Sequence, residues 1–173
     1  ITPYLTRPFS YPLRQFVDVL AKTTLNIAIV VPIVVMASMF LGLGEYLPHG
    51  IAIVYGVAWS LLALLLYIVI YFLVAVLSFW LDRVESYIYA VIVLSNFFNG
   101  SLIPLDVFPP WFVTISNWLP FKYLMFVPIQ AFLGRQTFSG IDMVIGLSWL
   151  IVLSGLIAIL WQKGLKQYES QGI

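Results

Sequence analysis

Four long apolar stretches constrain this chain more than any other feature: residues 23–44, 51–81, 87–105 and 141–161. A helix rises about 1.5 Å per residue, so each approaches or exceeds the ~30 Å of a bilayer's hydrocarbon core. Composition leaves them no other solvent. Apolar residues make up 62 % of the chain and charged residues 9 %, against roughly 45–50 % and 25 % in an ordinary globular domain. A water-soluble fold of 173 residues could not cover that surface, whereas lipid removes the need for a polar exterior. The sequence predicts an all-α, polytopic transmembrane bundle with four spanning helices.

The spans differ in detail. The first carries Pro32, which deletes a backbone hydrogen bond and predicts a kink. The second is longer than a perpendicular crossing needs and must tilt or project. Asp82, Arg83 and Glu85 form a charged turn after it. The third changes character halfway, with Ser95, Asn96, Asn99, Gly100 and Ser101 before Pro104, so that half should face protein or a water-filled cavity. The fourth is followed by a tail, residues 162–173, with Lys163 and Lys166 at the membrane boundary. Four spans put Arg7, Arg14, Lys22, Arg83, Lys163 and Lys166 on one face and Lys122 and Arg135 on the other. The positive-inside rule then places both termini in the cytoplasm, in a multi-pass protein of the plasma membrane.

Residues 106–134 are long enough to hide a fifth crossing. That would leave Lys122 near the bilayer centre, at about 2.5–3.5 kcal/mol on insertion scales. Pro109, Pro110, Pro120 and Pro128 fit two short helices better, residues 110–118 and 120–133, since proline suits a first helical turn and Gly134 a helix end. A re-entrant or interfacial hairpin that dips into the outer leaflet is the expectation. At the other end, Pro3, Pro8 and Pro12 break up the start. Leu13, Phe16, Val17 and Leu20 then recur as one apolar stripe that Arg14, Asp18 and Lys22 avoid. Residues 1–22 read as a cytoplasmic amphipathic segment. From spacing it is a lipid-surface anchor, although its exposed side with Arg7-Pro8-Phe9 could meet a partner.

Several chemistries are absent. There is no cysteine, hence no disulfide, thiolate metal site or cysteine nucleophile. His49 is the single histidine and cannot build a multi-histidine metal site. No stretch fits the phosphate-binding loop G-x-x-x-x-G-K-[ST], nor H-E-x-x-H or G-x-S-x-G. A net charge of +1 offers no field for nucleic acid. Glu45 and His49 share a solvated outer loop, and Asn99-Gly100-Ser101 matches a glycosylation acceptor by accident of composition. No ionisable group is expected at membrane depth, where a proton relay would need one. Asn96 and Asn99 share a helical face. They either hydrogen-bond neighbouring helices or line a path, and spacing favours the first.

Four motifs add specificity. The run from Asn99 to Trp111, with Gly100, Pro104 and Phe108-Pro109-Pro110-Trp111, resembles the end of the penultimate span in type-2 ABC exporter permeases. Leu119-Pro120-Phe121-Lys122-Tyr123, followed by Pro128 and Phe132-Leu133-Gly134, is similar to their next block. Leu160-Trp161-Gln162-Lys163-Gly164-Leu165-Lys166 resembles their ending, with Gln162 and Gln167 standing where basic residues are common. Leu5-Thr6-Arg7-Pro8-Phe9-Ser10-Tyr11 resembles the entrance to their third span. Such permeases have six spans, so this chain corresponds to the C-terminal four. With Ile1-Thr2-Pro3 at its start, it is expected to be a piece of a longer protein.

The resemblance implies a permease subunit, homo- or heterodimeric with a second permease, driven by separate cytoplasmic ABC ATPase chains. This chain would be no enzyme and bind no cofactor itself, ATP and Mg sitting on the ATPase. Arg7, Pro8, Phe9 and Arg14 would couple to that ATPase. Ser95, Asn96 and Asn99 would face the pathway or the other permease. Pro104, Pro109, Trp111, Pro120 and Phe121 would belong to an outer gate hairpin. The alternatives are a non-transporting membrane scaffold and a secondary transporter or channel fragment. Apolar and aromatic walls are common to any membrane bundle and name no substrate.

Overall fold

Long uninterrupted apolar runs give long helices, and proline and glycine cut the rest short. The structure, a computed structural model, describes residues 11–44, 47–81, 84–135 and 139–170, with the side chains of 11–16, 78, 84–85 and 167–170 outside that description. The described α-helices are α1 (Tyr11–Phe40), α2 (Ile51–Val76), α3 (Val84–Phe98), α4 (Pro110–Trp118), α5 (Phe126–Phe132) and α6 (Gly140–Ser170). Short 3-10 turns cover Leu77–Phe79, Leu105–Val107 and Pro120–Leu124. No strand occurs among the described residues. Val17–Phe40, Ile51–Val76 and Gly140–Lys166 are long and apolar enough to cross a membrane, and Ser86–Phe98 is a shorter apolar helix. The chain is an all-α, helical membrane protein.

Residues 1–47 and 48–173 form two separate units. In the first, α1 runs for 30 residues without interruption through Pro32. Residue 22, the expected limit of the amphipathic segment, is marked by no break in the helix. The hydroxyls of Thr24 and Ser38 donate to the carbonyls four residues back, Leu20 and Val34, each at 2.8 Å. Gly42, at φ +71°, ends the helix. Leu43 N–H donates to Ser38 C=O at 2.7 Å and Gly42 N–H to Met39 C=O at 3.3 Å, which is the Schellman pattern.

In the second unit α2 is the central element. Its Trp59, Leu62 and Leu66 form one core with Tyr123 of the Pro120–Leu124 turn and with Val127 and Ala131 of α5. Small residues set the spacing, as in membrane bundles generally. A Cβ built at Gly56 would enter the Phe132 ring, and one at Gly164 the Phe79 ring. At Gly146 it would lie 2.8 Å from Leu62 Cδ2. Thus α5 and α6 both approach α2 at glycines.

The third expected span is corrected. The expectation covers 87–105, whereas α3 has 15 residues, about 22 Å, and ends at Phe98. The polar run explains this. Asn99 Oδ1 accepts the Ser101 N–H at 2.9 Å, and Ser101 Oγ donates to Asn96 C=O at 3.2 Å. Gly100 stands at φ +78°. Side chains thus offer the backbone an alternative to the helix, six residues before Pro104.

Candidate functional site

The stretch after α3 is built by prolines. Pro109 caps α4 and Pro110 opens it. Leu119 is extended, at φ −87° and ψ 152°, because the residue before Pro120 is pushed out of the helical region. Pro120 then starts the 3-10 turn, and Met125, at φ −142° and ψ −52°, separates that turn from α5. Gly134, at φ +68°, closes α5 as Gly42 closes α1: Arg135 N–H donates to Gln130 C=O at 3.0 Å and Gly134 N–H to Ala131 C=O at 3.1 Å. With 9 and 7 residues, α4 and α5 reach only about 13 and 10 Å, and neither can cross a bilayer. The stretch folds back on itself, since Gln130 Nε2 donates to Asp106 Oδ2 at 3.4 Å.

The middle of this hairpin is anchored by charge. Lys122 is buried, at 6 % exposure. Its Nζ donates to Asp142 Oδ1 at 2.8 Å and to Asn117 Oδ1 at 3.1 Å and lies 4.9 Å from the centre of the Tyr123 ring. Tyr123 Oη sits 3.2 Å from Asp142 Oδ1 and 3.4 Å from the Asn117 carbonyl. Its one proton serves one acceptor at a time, and the carboxylate is the stronger. The Tyr123 ring stacks on Trp59 of α2 at 6.0 Å, about 12 Å along α2 from Ile51.

Asp142 is held in its turn. Ser139 precedes α6, and its Oγ accepts the Asp142 N–H at 3.4 Å, an N-cap that places a carboxylate in the favourable first turn. Seven residues on, Trp149 Nε1–H donates to Trp118 C=O at 2.7 Å, satisfying a carbonyl that the end of α4 leaves without a helical partner. The hairpin is therefore tied to α6 by an ion pair and an indole hydrogen bond, and to α2 by aromatic and aliphatic packing.

An aromatic row joins the hairpin to α3. Phe112 stacks on Phe98 at 5.0 Å and on Phe108 at 4.3 Å, and Phe121 stacks on Phe98 at 6.2 Å. The hairpin residues expected from the sequence belong to this assembly in different ways. Pro120 is buried, Phe121 is half-buried in the row, and Pro104, Pro109 and Trp111 are exposed. Ser95 of α3 is buried and Asn96 half-buried, and Asn99, just past the helix end, is buried. Asn99 and the Asn96 carbonyl serve the turn at the helix end. Arg7, Pro8 and Phe9 lie outside the described residues, as do Glu45, Asp82 and Arg83. Arg14 is in α1, its side chain outside the description.

Sequence reasoning missed Asn117, Tyr123, Asp142 and Trp149. It also drew a span from 141 without giving weight to Asp142 inside it, so the expectation of no ionisable group there is corrected: Asp142 lies in the first turn of α6, paired with Lys122. The signal was present. A lysine in an apolar stretch requires a carboxylate, and Asp106 and Asp142 are the only acids between Glu85 and Glu169.

No curated protein and no solved structure matches the chain. A family model described as "ABC-2 family transporter protein" matches residues 1–172. A membrane chain of long apolar helices with a proline-built hairpin pinned between them, matched over that length, belongs to the ABC-2 family of transporter proteins.

Proposed function

We propose that this permease subunit of an ABC transporter works as an exporter: it forms part of the substrate pathway and takes its energy from a separate ATPase chain that holds ATP and Mg. The observation that carries the reading is the family match over residues 1–172. The hairpin supports it, because a helix–turn–helix too short to cross, fixed to two spanning helices, suits an outer gate better than a passive loop. On this reading the hairpin dips into the outer leaflet with Pro104, Pro109, Trp111, Pro120 and Phe121. Ser95, Asn96 and Asn99 lie toward the pathway or the second permease. Both termini are in the cytoplasm, the membrane is the plasma membrane, and Arg7, Pro8, Phe9 and Arg14 receive the ATPase.

One observation favours a second reading. The pair of the buried Lys122 and the half-buried Asp142 is the kind of ionisable group that a secondary transporter needs. The pair is mutually neutralised and lies at a helix end, which suits anchoring more than proton relay.

One experiment separates the readings. The complete permease is tagged, expressed with its neighbouring genes, purified, and assayed for ATP hydrolysis. Co-purification of an ATPase that charge reversal at Arg7 or Arg14 releases is the expected result. A well-folded permease that brings down no ATPase, yet moves solute down a proton gradient, would establish the secondary transporter instead. One that does neither would be a scaffold.

A further inference from the structure

A second set of polar groups lies where the two ends of the hairpin meet, apart from the Lys122 pair. A hollow of about 250 Å³ opens there. Phe126, Ile129 and Leu133 give it an apolar wall, and Asn99, Asp106, Gln130 and Arg135 line it with polar groups.

Three features of it ask for a ligand. Asp106 and Arg135 carry opposite charges into one hollow, yet no ion pair joins them among the described residues. Asn99 is only 8 % exposed, and its Oδ1 is taken by the Ser101 N–H. That leaves its amide N–H groups without an acceptor among the described residues. Gln130 spends its Nε2 on Asp106 and keeps a buried Oε1 with no donor. Gln130 Oε1 is thus a buried acceptor left unmatched, which is costly, and further donors and acceptors line the same hollow. The acceptors are the Asp106 carboxylate and Gln130 Oε1, side by side. The donors are the Arg135 guanidinium and Asn99 Nδ2. Arg135 is also fixed relative to Gln130, because its backbone N–H closes α5 on the Gln130 carbonyl.

The geometry points to a binding site for a zwitterion bearing an ammonium and a phosphate, the chemistry of a phosphoethanolamine headgroup. The ammonium would sit between Asp106 and Gln130 Oε1. The phosphate would take the planar fork of Arg135, which matches tetrahedral oxyanions in two-point contact, and the Asn99 amide. Ile129 and Leu133 are 43 % and 46 % exposed. They continue the apolar wall out to the lipid-facing surface, where an acyl-bearing glycerol would lie. A purely anionic ligand would leave the carboxylate opposed, and a purely cationic one the guanidinium. The site is read without ATP or a partner chain, so it stands or falls separately from the exporter reading.

The test is direct binding to the purified full chain in dodecyl maltoside, by isothermal titration with dihexanoyl-phosphatidylethanolamine and dihexanoyl-phosphatidylglycerol. The ethanolamine lipid should bind about tenfold or more tightly than the glycerol lipid, the scale of one charge-assisted hydrogen bond. Arg135→Gln should weaken the ethanolamine lipid about tenfold, and Asp106→Asn should abolish the preference between the two lipids. Both side chains are exposed, so both variants should keep the native unfolding temperature. Displacement of the lipid by free O-phosphoethanolamine would assign the site to a soluble zwitterion. Lipid binding that the free headgroup cannot displace would assign it to the membrane. Equal binding of the two lipids, no saturable binding, or binding unchanged in both variants would overturn the proposal.

Discussion

The contrast between α6 and the hairpin shows what each kind of backbone demands of its surroundings. α6 runs 31 residues, so nearly all its peptide groups bond within the helix and its sides need only packing. Its contact with α2 is accordingly apolar and close, with Gly146 under Leu62, and Leu153 and Ile157 buried. The hairpin spends its length on two helices of 9 and 7 residues and a turn, so many of its peptide groups lie at helix ends. A helix end that lies in lipid has no water to turn to, and the hairpin draws on its neighbours. Trp149 covers the Trp118 carbonyl, Gly134 lets α5 close on itself, and Asp142 meets Lys122. Polar chemistry in this unit is therefore concentrated where interrupted backbone meets continuous helix.

The ion pair offers the strongest way to break this contrast. Lys122→Met leaves the half-buried Asp142 without its cation, and Asp142→Asn leaves the buried Lys122 without its anion. Each should cost about 3–5 kcal/mol, whereas the double variant should recover most of the loss, since an apolar and neutral pair of similar volume escapes the desolvation penalty. Thermal unfolding in detergent measures all three. A double variant whose loss equals the sum of the two single losses would show that the two charges do not act on each other.

The indole hydrogen bond should matter less. Trp149→Phe keeps the ring and removes the donor, leaving the Trp118 carbonyl unsatisfied, at about 1–3 kcal/mol. The loss should be local. Because the chain has no cysteine, single cysteines can report it: Trp111→Cys, in α4, should gain reactivity toward a maleimide in the Phe background, while Val152→Cys, on the exposed side of α6, should not. Gain at both sites would mean that the bond holds α6 as well as the hairpin.

How much of this was legible beforehand follows the same division. The long helices could be read because length and hydropathy alone decide them, and α2 and α4 start at residues 51 and 110. Pro109, Pro110, Pro120 and Gly134 announced the hairpin because proline and glycine act on the local backbone. The end of α3 was misplaced because Asn99 and Ser101 are compatible with a helix in isolation, and only their mutual hydrogen bond ends it. The site was mostly illegible. Lys122 was visible as an anomaly, but which acid answers it depends on bringing together residues twenty apart through a turn, and nothing in spacing distinguishes Asp142 from Asp106. Trp149 reads as one more apolar residue of a span until the Trp118 carbonyl is beside it.

The smallest expected effect sharpens the comparison from the α6 side. Ile151 is 72 % exposed and Ile157 8 % exposed on the same helix. In water, truncating a buried isoleucine to alanine loses both its transfer free energy and the packing around the cavity. In a membrane the transfer contribution largely vanishes, because lipid chains are as apolar as the protein interior and only packing is left to distinguish the two. Ile151→Ala should therefore shift stability by no more than about 0.5 kcal/mol. Ile157→Ala should cost on the order of 1–2 kcal/mol, the cavity part alone. If the two variants unfold at the same temperature, close packing is not what joins α6 to α2, and the polar ties of the hairpin would have to hold the last span as well.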